Sequence, residues 1–224
     1  MTNLRPTQTM PKLMNLRSLT GALVLLLVLG LAVPGRAQQD AVSEAAPVAP
    51  GAVVAQVNET LIGAMREAEA LAFQGRYDRL APVFMTAFHF PFMARVAAGR
   101  HWRDLQPEQK DLLADAFARM SVTTYAARFD GYTGQSFEVG ETIEQPRGRM
   151  LVRNRLISGA GEAVAIDYLL RDFDGQWRIV DVFLDGTISE IATKRSEYNS
   201  ILKRTGFEDL LARISSKTAE LAAE

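Results

Sequence analysis

The chain has 224 residues, 48 % of them apolar and 23 % charged, which is enough material for one domain of ordinary size with its own core. It has no cysteine, which excludes disulfides, thiolate-bound metals and thiol nucleophiles; its two histidines, His89 and His101, sit in no metal-ligand spacing, so neither a metal nor a cofactor is expected. The formal charge of -1 becomes -5 without the first 37 residues, with 21 basic against 26 acidic side chains, and an acidic body argues against nucleic-acid binding.

Those first 37 residues carry Arg5, Lys12, Arg17 and Arg36 and no acid. An apolar run from Leu19 to Val33 follows the basic stretch and leads to Pro34-Gly35-Arg36-Ala37. The run is short for a membrane-spanning helix, and the small residues Gly35 and Ala37 suit a cleavage site, so residues 1–37 read as a signal peptide cut near Ala37. Either Met1 or Met14 can serve as the start. Residues 38–51 are rich in Ala and Pro without apolar periodicity and read as a disordered linker, leaving residues 52–224 as a single domain.

From Val53 to Ala72 apolar residues recur at threes and fours, predicting an amphipathic helix that ends near Gly75. A second helix carries Leu80, Val83, Phe84, Ala87 and Phe88, with Pro91 interrupting or restarting it. Pro107 opens a third, whose buried face holds Leu112, Leu113, Ala116, Phe117, Met120 and Thr124. From Ser136 the period changes to two, and turns at Pro146-Arg147-Gly148, Ser158 to Gly161 and Asp174-Gly175 divide four strands of an antiparallel meander. The last strand is apolar on both faces, with Trp177, Ile179, Asp181 and Phe183 on one and Val180, Val182 and Leu184 on the other, which requires cover on each side. Thr187-Ile188-Ser189-Glu190 reads as a capping box for a helix from Ile188 to about Arg204, and Gly206 separates it from a final helix. The fold class is α+β.

The run from Trp177 to Gly186, with Ser189 and Arg195-Ser196-Glu197-Tyr198 after it, resembles the signature of the MlaC or toluene-tolerance family of periplasmic lipid-binding proteins, which has hopanoid-associated relatives. Phe90 to Arg95, Gly99-Arg100-His101-Trp102-Arg103, Pro107-Glu108-Gln109, Tyr125 and the Gly131 to Gly134 region are similar to the middle of that family. His89 is a departure, since an acid is expected there in many relatives. The resemblance implies an NTF2-like or cystatin-like fold, with N-terminal helices, the meander and C-terminal helices enclosing an apolar cavity. It further implies a monomeric carrier that catalyses nothing: a phospholipid, or a hopanoid, passes between an inner-membrane ABC lipid transporter complex and an outer-membrane lipoprotein complex.

On that reading, the residues expected to contact acyl tails are Phe84, Phe88, Phe92 and Met93 in the helical half, and Tyr125 in the third helix. Met150, Val152, Ile166, Tyr168, Val180 and Val182 are expected from the strands, and Ile188 and Ile191 from the helix after them. Two other functions compete: an exported enzyme using Asp181 as a base beside a histidine, and an adaptor whose apolar sheet binds protein. Asp181 is otherwise expected to pair with Arg195 or with backbone donors at the next helix start.

Overall fold

The computed structural model describes residues 48–223; the expected signal peptide and most of the expected linker lie outside them. Helix α1 (Pro50–Arg66) begins two residues before the expected domain start, with Pro50 in the first turn, where its missing N–H costs nothing. It ends at Arg66, well before Gly75, and α2 (Ala68–Ala87) follows almost at once. The apolar stripe read as one helix is thus two. Ala72 interrupts α2 with φ 50 and ψ -170, a strained conformation for a residue with a Cβ. Arg76 is buried one turn after this kink and bonds across it and away from it, donating through Nη1 to the Ala68 carbonyl of α2 at 3.1 Å and through Nε to the Ala126 carbonyl at 2.8 Å.

Phe88 is not helical. It is extended and forms a bridge with Ile179, and the His89 amide donates to the Ile179 carbonyl at 2.9 Å. Pro91 then sits in the first turn of α3 (Phe90–Ala98), restarting the helix, and His89 caps it by accepting the Phe92 amide on Nδ1 at 3.1 Å. A 3-10 turn (Gly99–Arg103) leads to α4 (Pro107–Arg128), where the Gln109 side chain accepts the Gln106 amide at 2.9 Å. Among the described residues four α-helices therefore precede the sheet, one more than expected.

Strands β1 (Ser136–Gln145), β2 (Arg149–Ile157), β3 (Ala163–Phe173) and β4 (Gln176–Leu184) form the expected antiparallel meander, and a two-residue β5 (Ile188–Ser189) extends it to five strands. Asp174 and Gly175 both take positive φ, the geometry that a two-residue hairpin between Phe173 and Gln176 needs. Gly159 lies so close to the Thr133 carbonyl that a Cβ would fall 1.9 Å from its oxygen, so the β2–β3 turn can rest on the loop after α4 only with glycine there.

Two bulges bend the sheet, one in β1 between Val139 and Thr142 and one in β4, where Val180 and Asp181 together oppose Leu169. The second corrects the strand reading. Strict alternation puts Val180 with Val182, but the extra residue places Ile179 and Val182 on the core face, opposite Leu170 and Tyr168, and leaves Val180 outside the main apolar cluster. The helix after the sheet also starts later than expected: α5 (Glu190–Arg204) is capped by Ser189, whose Oγ accepts the Ala192 amide at 2.9 Å, and not by Thr187. Helix α6 (Phe207–Ala222) packs against α4. The core lies between the inner face of the sheet and the helices, centred on Phe84, Phe90, Tyr168, Tyr198 and Leu61. Leu112, expected on the buried face of α4, is 51 % exposed.

Candidate functional site

Between α4 and the inner face of the sheet lies a cavity of about 410 Å³ with a mostly apolar wall. Helix α4 supplies its longest side, through Phe117, Met120, Ser121, Thr124, Tyr125 and Arg128. These recur at threes and fours, so one stripe of one helix runs the length of the space. Leu156, Ile166, Val182 and Leu184 face it from β2, β3 and β4, while Met65, Phe88, Met93 and Ile191 fill in from α1, the α2–α3 junction, α3 and α5.

The wall becomes polar at one end, where Arg128, Asp130, Gln135, Glu190 and Lys194 line it with Gly131. Arg128, Asp130 and Gly131 are exposed, so this is the mouth. It carries two cations and two anions, and Lys194 also pairs with Glu197 at 3.2 Å.

Aromatic packing stiffens the inner end. Phe88 stacks on Phe84 at 4.9 Å and on Phe90 at 5.4 Å, and presents its edge region to Tyr125 and Tyr168 at 6.4 and 6.5 Å. Tyr168 is fully buried and its hydroxyl has no hydrogen-bond partner among the described residues; the Tyr125 hydroxyl is the polar group beside it. Burial pushes the Tyr125 phenol up to about 12 and the Tyr168 phenol well above its usual value, so both remain neutral donors at ordinary pH.

A family model, that of the MlaC protein, matches residues 55–216. The chain belongs to the MlaC family. Among solved structures, one similar to this MlaC-family chain is the phospholipid-binding protein from Ralstonia solanacearum, in complex with a phospholipid. The two are 20 % identical, with a TM-score of 0.69 over 78 % of this chain and 99 % of that one. At this identity the likeness shows a shared fold.

Of the thirteen residues singled out as tail contacts, Phe88, Met93, Tyr125, Ile166, Val182 and Ile191 line the cavity. Phe84, Val152 and Tyr168 are fully buried behind its wall, Met150 is half-buried further along β2, and Val180 is displaced by the bulge. Ile188 is 52 % exposed on β5. Phe92 lies elsewhere, between the Arg95 and Arg171 guanidinium groups and 5.7 Å from Phe173. Met65, Phe117, Met120 and Leu156 also line the cavity beyond the expected set, and the first three stand on helical stripes readable in the sequence.

Asp181 takes no part in a histidine pair. Its carboxylate accepts the Ile191 amide at 3.1 Å and the Val182 amide at 2.8 Å as well as the Ser189 hydroxyl, so the expected backbone donors hold it and Arg195 does not. Burial pushes the carboxyl above its usual range, against the lowering effect of these donors. His89 is held below its usual value by burial and by Arg178, Arg171 and Arg95, which suits the neutral ring that caps α3.

Proposed function

We propose that this protein binds a phospholipid by its acyl tails and carries it through the periplasm, between an inner-membrane ABC-type complex and an outer-membrane lipoprotein complex. The observation that supports this most is an apolar space that opens through a charged rim. Each methylene taken from water is worth about 0.8 kcal/mol, but a bilayer supplies nearly the same amount, so a carrier needs only to imitate hydrocarbon to exchange lipid with a membrane. Mutual packing of aliphatic and aromatic side chains around an open space does that without directed bonds.

Met65, Met93 and Met120 on the wall are side chains suited to a variable apolar ligand. The bound phospholipid of the Ralstonia solanacearum neighbour supports the ligand class. An enzymatic reading has less support, because the donors around Asp181 tie the carboxylate to the start of α5. The leader-like residues 1–37 support export.

Solvent extraction and mass spectrometry of the purified protein test the proposal. Stoichiometric diacyl phospholipid is the expected result. Protein that emerges empty, and stays empty after incubation with phospholipid vesicles, overturns it; a bound hopanoid keeps the carrier and replaces the ligand.

A further inference from the structure

Tyr125 places a hydroxyl on the cavity wall, where an acyl tail has no use for it, and the Tyr168 hydroxyl is buried behind that wall. A phenol facing hydrocarbon loses its hydration without recovering a bond, and the buried Tyr168 hydroxyl has no hydrogen-bond partner among the described residues to relieve it. Tyr125 also lines the cavity, with the Thr124 and Ser121 side chains next to it on the same stripe of α4. Those two hydroxyls are already committed, donating at 2.8 Å to the Met120 and Phe117 carbonyls. The phenol of Tyr125 is the donor left over.

Its depth is what assigns a partner. Arg128 stands at the mouth, three residues further along α4, which corresponds to about 4.5 Å of rise. A glycerophospholipid entering tails first, with its phosphate at the rim, brings its ester carbonyls to that depth. Below them Phe117 and Met120 offer only apolar surface. We infer that Tyr125 donates a hydrogen bond to an ester carbonyl of the bound lipid and so fixes how deeply the lipid sits. This rests on the phospholipid reading above and adds a specificity: ester-linked lipids are preferred over ether-linked lipids with the same headgroup and chains, because the ether oxygen is a poorer acceptor and the carbonyl is missing.

Competition between diester and diether phosphatidylethanolamine of matched chain length, offered in equal amounts in mixed vesicles and read by mass spectrometry of the full mature protein, tests it. The native protein is expected to load the diester about three- to tenfold in excess, the value of one neutral hydrogen bond. Tyr125→Phe is expected to bring the ratio close to one while still loading both lipids. Equal loading by the native protein, or an unchanged preference in Tyr125→Phe, overturns the inference and leaves the carrier standing. If neither lipid loads at all, the carrier reading fails and the inference with it.

Discussion

Asp181 accepts the Ser189 hydroxyl at 2.6 Å, which joins the last long strand to the residue that caps α5. The same carboxylate accepts the Ile191 amide, so one side chain holds both the strand end and a first turn that contributes Ile191 to the cavity wall. Because burial raises the Asp181 pKa, the native state binds this proton more readily than the unfolded chain, and stability falls as pH rises from the ordinary carboxylate range through the raised value. Asp181→Asn keeps the shape and cannot titrate. The stability difference between native protein and Asp181→Asn, from denaturant midpoints at a series of pH values, is therefore expected to shift against the native protein as pH increases across that window.

Leu156→Glu places a charge on the cavity wall at a half-buried position. It is expected to reduce co-purifying lipid by about tenfold or more while the circular dichroism spectrum is retained, because a carboxylate facing the tails costs several times the thermal energy. Ile188→Glu, at an exposed position outside the cavity, is expected to leave lipid content unchanged and stability within about 0.5 kcal/mol.

Ser121→Phe fills space and gives up only the hydroxyl's bond to the Phe117 carbonyl within α4. Lipid loading is expected to fall with no loss of thermal stability, since the added ring enters an existing void. A destabilised, fully loaded variant is the contrary outcome, and it places Ser121 in packed core.

Arg76→Met retains most of the length of the side chain and removes both donors to the Ala126 and Ala68 carbonyls. A loss of about 2–4 kcal/mol is expected in urea unfolding, at the level of charged hydrogen bonds inside a protein. Tyr198→Phe has the opposite sign. The Tyr198 hydroxyl is buried without a partner among the described residues, so removing it is expected to raise stability by up to about 1 kcal/mol.

Which features were legible in the sequence follows from how local their causes are. The hairpin between β3 and β4 could be placed from Asp174-Gly175 because two residues fix a turn by their own φ preferences. The break before Pro91 was readable for the same kind of reason. The cap of α5 was not, because Thr187 has the capping-box spacing to Glu190 while Ser189 has Ala192 three residues on, and it is the strand pairing of Ile188 with Leu184 that moves the cap to Ser189. Nor was the division between Val152, packed solid, and Val182, which lines the void: both are apolar residues on inward-facing strand positions, and only the separation of α4 from the sheet distinguishes them. A space is the absence of a neighbour, and sequence periodicity records only that a side chain turns away from water.

The doubled position at Val180 and Asp181 has a consequence for how such a space can change size. Removing Val180 alone restores an unbroken ladder in which Ile179 still meets Leu170 and Val182 still meets Tyr168, so no other side chain crosses to the opposite side. What changes is the bend of the β3–β4 ribbon. The curvature of that wall can therefore be reset by single-residue insertion or deletion in a strand, with the chemistry of every lining group left as it was.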